Sequence, residues 1–414
     1  MEERALEDAI TDHAASLLLR YFSATEVARI SSPTIALEQD RELLRLHWAL
    51  SPAVSTLVSY IIAHRHEIQS ILSTARRVED GIVRGRLDAV ATLKQRRVSG
   101  MPTAVVSQEP LRSYDSGPNS VLGWVITQAW SLASRFVTLV QESSDYRVRI
   151  DAATQKLEQV RRIEGIRQIA GHVAHVRRPR PTALLEAERS RRQLYHKATA
   201  AYRALLQIEA GDPDAIVTML RETLLAPLEP WRRYELAVGY SLADSLAREL
   251  DEEMRLHFVV GDIRRPIAQA GRFTVFWQWR TDEYRMPKPE PSERITSALW
   301  KSYGLSAASD RPDLVVKNQD TGKVVSLIEV KYLTGESAAD RVRSAAEQLV
   351  RYARGYADLD SIGPLLGRSL IAVSQGLDGL NPIEPLPDNT PELLDFEGIR
   401  GAKLKKWSGC LTRA

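Results

Sequence analysis

Three charged side chains interrupt an otherwise apolar stretch of this chain. Asp313 lies in Arg311-Pro312-Asp313-Leu314-Val315-Val316, and Glu329 and Lys331 lie in Ser326-Leu327-Ile328-Glu329-Val330-Lys331-Tyr332. The polar run between them, Lys317 to Lys323, is rich in Asn, Asp and Gly and reads as the turn of a β-hairpin. Side chains alternate faces along a strand, so Glu329 and Lys331 share one face. Asp313 opens the neighbouring strand and approaches the same face. Charges in such a sheet are costly unless paired or metal-bound. Two carboxylates aimed at one point make a hard oxygen site, suited to Mg²⁺ or Mn²⁺ and not to zinc. An ion there lowers the pKa of a water and neutralises charge on a phosphoryl oxygen. A lysine beside it orients the attacking water or stabilises the developing charge. The competing reading is a structural salt bridge at a sheet edge.

Two further elements bear on this site. The segment from Ser337 to Tyr356 is rich in Ala, Arg and Leu and reads as a helix. Gln348 and Tyr352 are four apart on it, hence on one face. Upstream, Trp231-Arg232-Arg233-Tyr234-Glu235-Leu236-Ala237-Val238 starts a helix continuing to Leu250, with Glu235 among apolar residues.

Pro312-Asp313 followed by Glu329-Val330-Lys331 resembles the signature of the PD-(D/E)xK nuclease superfamily. The Gln348–Tyr352 pair on the next helix is similar to its RecB-like branch. Tyr234-Glu235-Leu236 is similar to a stretch that precedes the nuclease strands of McrC-like restriction subunits. The resemblance covers roughly residues 228 to 376. It implies a restriction-endonuclease-like core, a mixed sheet flanked by helices, and a metal-dependent DNA endonuclease of a restriction or anti-phage system. Asp313, Glu329, Lys331, Gln348 and Tyr352 would then be the catalytic set. Asp313 and Glu329, joined by Glu235, would hold Mg²⁺ or Mn²⁺. Gln348 and Tyr352 would contact the DNA backbone or brace the site. McrC-like subunits work with a separate NTP-driven motor. This chain has no Gly-xxxx-Gly-Lys-[Ser/Thr] phosphate loop, so a motor would be another polypeptide. Two rivals stand beside this reading: a repair or recombination nuclease with the same site, and an inactive nuclease fold serving as a DNA-binding assembly subunit.

The elements that must position these residues follow a readable order. Residues 1–115 read as an N-terminal helical and β domain, 116–227 as a helical basic domain, 228–376 as the α/β nuclease domain and 377–414 as a Pro-rich, basic tail. Within the first, Ser51-Pro52 is a helix start. Leu57 to Thr74 reads as an amphipathic helix, Gly81 to Leu93 as strands, and Met101 to Val106 as a strand ending at Pro110. Asp115 and Asn119 are expected to cap the apolar helix from Val121 to Val140. From Asp151 to Gln207 the chain is helical and basic, with Glu158 and Glu164 placed to pair along the helix. Arg177-Arg178-Pro179-Arg180 is unopposed by acid and is a candidate phosphate contact. His172 and His175 lack a third metal ligand nearby. Arg264, Arg265 and Arg272 form a second basic cluster. Trp277 and Trp279 share a strand face and either pack in the core or stack on unpaired bases. Ser369 to Val373 reads as the last strand.

The composition is ordinary for a globular protein: 414 residues, 44% hydrophobic, 26% charged and a net charge of +3. Global charge therefore does not announce nucleic acid, and only local clusters argue for it. The single cysteine, Cys410, excludes an internal disulfide framework and fits a reducing, cytoplasmic setting. No stretch reads as a membrane span or as a signal-peptide core. DNA is the expected partner, and an oligomer is compatible with the sequence.

Overall fold

The computed structural model describes residues 3–28, 36–137, 145–173, 175–256, 266–285, 311–333, 338–375 and 386–413, with a few single residues between 287 and 302. The chain forms two compact units. One comprises Met1–His47, Val140–Arg147 and Ile208–Ala414; the other comprises Trp48–Leu139 and Val148–Gln207.

In chain order, helices α1 (Glu3–Ala28), α2 (Ala36–Ala49) and α3 (Pro52–Ala63) lead to strands β1 (Ile71–Asp80) and β2 (Arg86–Leu87). Helix α4 (Ala89–Ser99), strand β3 (Ala104–Ser113) and helices α5 (Gly117–Val137), α6 (Asp145–Arg161), α7 (Glu164–Val173), α8 (Pro181–Arg189), α9 (Gln193–Ala210) and α10 (Pro213–Leu220) follow. The second half runs α11 (Pro230–Leu250), β4 (Met254–Leu256), β5 (Pro266–Ala270), β6 (Phe273–Trp277), β7 (Leu314–Asn318), β8 (Val324–Lys331) and α12 (Ala338–Tyr356). It ends with α13 (Leu359–Leu366), β9 (Leu370–Val373), β10 (Glu392–Asp395), α14 (Phe396–Arg400) and α15 (Ala402–Arg413).

The first unit is built on a seven-stranded mixed sheet in the order β10-β9-β8-β7-β6-β5-β4. β7 and β8 are the expected antiparallel hairpin, and β9 lies parallel to β8 after the α12 crossover. Helix α12 buries Ala345, Leu349, Tyr352 and Ala353, a spacing that makes one apolar stripe. That stripe packs with Phe276, Val315, Leu327 and Ile371. Helix α11 packs on β5 and β6. Gly239 permits the approach: a Cβ there would stand 2.5 Å from Ile267 and 3.2 Å from Leu314. Tyr234, fully buried, donates its hydroxyl to the Val373 carbonyl at 2.6 Å and ties the helix to β9.

The expected segment boundaries at 115, 227 and 376 are not those of the compact units. Helix α1 packs on α11, and Arg20 pairs with Asp244 at 2.7 Å, so the first helix joins the sheet unit. Nor is 377–414 simply a tail. Glu392–Asp395 pairs in parallel with β9, and α15 buries Leu404, Trp407 and Leu411. The alternation Glu-Leu-Leu-Asp is too short to announce a strand by itself; the sheet edge supplies the partner.

In the second unit β1 and β3 pair antiparallel over ten residues, from Ile71↔Ser113 to Asp80↔Ala104. The expected helix Leu57–Thr74 therefore stops at Ala63, and strand begins at Ile71. Long-range pairing overrides the local periodicity there. Of the strands expected in Gly81–Leu93 only Arg86–Leu87 forms; Ala89–Ser99 is a helix. Asp88 caps it, accepting the Ala91 N–H at 3.0 Å, and Gly100 ends it at φ 67°. β3 runs through Pro110, which lies beyond the short stretch paired with β2, so its missing N–H removes no bond on that side. Asn119 does not cap α5. It is buried, donates to the carbonyls of Gln69 and Tyr114, and accepts from the Tyr195 hydroxyl at 2.7 Å. The cap hydroxyl is that of Ser116. Around the end of the β1–β3 pair beside α4, Val78, Ile82, Val83, Val90, Leu93 and Val98 are exposed.

One stretch departs from the hydropathy expectation. Glu42–Ala63 is long and apolar enough for a span, yet half of its most apolar stretch is buried and the helix is interrupted before Pro52, where α3 begins.

Candidate functional site

Asp313 precedes β7, and its carbonyl accepts the Gln278 N–H at 2.7 Å, extending the ladder to that residue. Its carboxylate Oδ2 accepts the Val330 N–H of β8 at 2.8 Å. This places the aspartate beside the two charged residues that flank Val330. Glu329 is 2% exposed, and Lys331 donates through Nζ to Glu329 Oε1 at 2.5 Å. The same ammonium donates to Gln348 Oε1 of α12 at 2.7 Å. Asp313, Glu329, Lys331 and Gln348 are thus brought together as their spacing predicts.

Tyr352 is elsewhere. It is 1% exposed in the core between α12 and the sheet, among Phe276, Val315, Leu327 and Leu349, where no polymer backbone can reach it. One helical turn separates it from Gln348, and the turn is enough to move it from the polar edge of the helix onto the apolar stripe.

Glu235 comes from α11 and is 3% exposed. Its Oε2 accepts from Trp277 Nε1 at 2.5 Å and from Gln278 Nε2 at 2.7 Å. Burial holds its carboxyl well above the ordinary range, and the charge of Asp313 adds to that, while the bonds from Trp277 and Gln278 pull the other way. Burial likewise raises Asp313, against the pull of Lys331. Burial and the charge of Asp313 push Glu329 up to about 8. The common cause is carboxylates desolvated near one another.

A divalent ion can be tested against these residues. Glu329 Oε2 is buried and has no hydrogen-bond partner among the described residues. An orphaned carboxylate oxygen beside a second carboxylate fits a hard cation. Among the described residues no group of three or more His, Cys, Asp or Glu is placed to hold an ion. Glu235 therefore does not complete a three-carboxylate cage with Asp313 and Glu329, its Oε2 being taken by Trp277 and Gln278. His172 and His175 form no such group either.

Gln278 carries a role that its neighbours in sequence do not announce. It holds φ 48°, in the left-handed region, donates to Glu235, and accepts from Arg311 Nη2 at 3.1 Å. The turn it makes separates Trp277 from Trp279, expected on one face. Trp277 reaches Glu235, whereas Trp279 packs against Phe276, ring centroids 4.5 Å apart, on the α12 side. The only prior signal was a glutamine between two tryptophans. Of the basic clusters, Arg264 and Arg265 lie outside the described residues. Arg272 donates to the Thr412 carbonyl at 2.7 Å and is structural. Arg177, Arg178 and Arg180 are exposed, and Glu158 and Glu164 pair with Arg161, Arg162 and Arg167.

No known family model matches the chain, and no curated protein matches it. Among solved structures, it is similar to a chain of a half-complex from the tetradecameric assembly of Thermococcus gammatolerans McrB AAA+ hexamers with bound McrC. The likeness covers 98% of this chain and 77% of that one, at 12% identity and a TM-score of 0.26. The functional reading therefore rests on the geometry around Asp313, Glu329 and Lys331.

Proposed function

We propose that the chain is a divalent-metal-dependent nuclease that hydrolyses phosphodiester bonds in DNA, as the nuclease subunit of a restriction or anti-phage system. The observation that carries this is the convergence of Asp313, Glu329 and Lys331 at one end of a sheet, with a buried carboxylate oxygen left unpartnered. Asp313 and Glu329 are the residues that would hold Mg²⁺ or Mn²⁺. The ion, when bound, supplies charge neutralisation and lowers the pKa of a water. Lys331, held by Glu329 and Gln348, keeps a positive charge where negative charge develops on the phosphoryl group. Gln348 positions that ammonium. Glu235, fixed by Trp277 and Gln278, stands behind the pair. The exposed apolar tip around α4 is the surface we assign to a separate motor subunit, because monomers rarely leave so many large apolar side chains in water.

The test is cleavage of plasmid and single-stranded DNA by the purified chain with Mg²⁺ or Mn²⁺, beside Asp313→Asn and Lys331→Ala. Cleavage unchanged in both variants removes the mechanism. The close Lys331–Glu329 pair also favours a second reading, an inactive fold that keeps the bridge for stability. Calorimetry with Mn²⁺ separates the two: no heat of binding, alongside intact DNA binding, supports the second. Selective cutting of forks or flaps would instead assign the same site to repair or recombination.

A further inference from the structure

A cavity of about 750 Å³ opens on the second unit, lined from α3, β3, the end of α6 and the start of α7. Three arginines face it: Arg65, Arg112 and Arg162. The side chains of Arg65 and Arg112, both exposed, make no ion pair or hydrogen bond among the described residues. Among the described residues Arg162 meets only Glu158, at 3.7 Å, and its side chain is 80% exposed. The acid in the lining, Glu164, is already engaged by Arg167 and Gln168 at 2.5 and 2.7 Å. The rest of the wall combines polar His66, Ser70 and Gln159 with an apolar side formed by Ile62, Ile68, Ile163 and Tyr114. Gly165 keeps that wall open: a Cβ there would stand 3.0 Å from the Tyr114 ring and 3.1 Å from Ile68.

Guanidinium forks match phosphate oxygens, and an aliphatic and aromatic wall matches the face of a base. The volume is in the range of small-molecule sites. We propose that this cavity binds a nucleotide, with Arg65, Arg112 and Arg162 on its phosphate and Ile68, Ile163 and Tyr114 against its base. An acidic peptide would use the arginines but leave the apolar wall unfilled. The site uses no residue of the carboxylate centre, so it stands whether or not the chain cleaves DNA.

Calorimetric titration of the full chain in EDTA, which removes any metal contribution, tests this with three probes: thymidine 5′-monophosphate, a short thymidine oligonucleotide and inorganic phosphate. Both nucleotide probes, or the oligonucleotide alone, should bind more tightly than phosphate. The first pattern means a free or terminal nucleotide, the second a nucleotide read within a strand. R65A/R112A should weaken that binding by at least about tenfold. Ile163→Trp should exclude the nucleotides and spare phosphate. Circular dichroism confirms that each variant is folded. No binding at millimolar concentration, affinity unchanged in folded R65A/R112A, or nucleotides binding no better than phosphate would overturn the assignment.

Discussion

The two charged places in this protein are built on opposite terms. Around Asp313, Glu329 and Glu235 the sheet unit takes carboxylates out of water, and two of them are 2% and 3% exposed. Around Arg65, Arg112 and Arg162 the other unit leaves cations in water. Burial makes the acidic group expensive and therefore proton-holding. Exposure leaves the basic group cheap, with little reason to be tightly paired. A site that must gather a divalent ion gains from repulsion that the ion relieves. A site that greets phosphate gains from free donors that need no rearrangement.

The comparison is broken first by activity. Lys331→Ala should lower Mg²⁺-dependent cleavage by roughly 10² to 10³-fold, because a preorganised charge in a dry site is worth that much. A variant as active as the parent means that the buried centre is only structural. Next is pH. All three carboxyls have folded pKa values above their unfolded ones, Glu329 at about 8. The folded, ion-free protein therefore binds more protons, so stability present near pH 4.5 is lost as pH rises toward 8. The slope is at most about 1.4 kcal/mol per pH unit for each proton. Thermal melts in chelator should fall across this window, and Glu329→Gln should flatten the fall. A melting temperature that rises with pH contradicts the picture.

An ion should reverse that trend. At about ten times its Kd, Mn²⁺ adds about 1.4 kcal/mol to stability. The gain should be larger at pH 8 than at pH 5, where protons compete. Gln348→Ala takes one of the two described partners from the Lys331 ammonium. It should cost about 1 kcal/mol, read as a five- to tenfold drop in kcat with KM little changed. The smallest effect sits on the other side of the contrast. R65A/R112A should shift the unfolding free energy by no more than about 0.5 kcal/mol, since exposed, unpaired side chains contribute little. A large loss would mean that these arginines belong to the fold.

Much of the acidic centre is legible in the sequence alone. Asp313, Glu329 and Lys331 follow from strand alternation and one turn, and Gln348 from helical spacing; all of this is local. Tyr352 shows where spacing stops helping, because four residues on a helix share a face only loosely and the apolar stripe claimed the second. The pairing of β1 with β3 and of β9 with β10 joins residues distant or weakly patterned in sequence, and nothing nearby encodes it. Gln278 was invisible because its importance comes from a backbone angle and from partners, Glu235 and Arg311, on separate elements.

Position 278 consequently answers to two demands that pull toward different amino acids. The backbone there would be most at ease with glycine or asparagine. The amide must nevertheless extend to a carboxylate on one side and a guanidinium on the other, which neither of those reaches as glutamine does. Relaxing the chain and keeping the clamp are thus mutually exclusive at this residue, and whatever strain is stored there comes with the placement of Glu235.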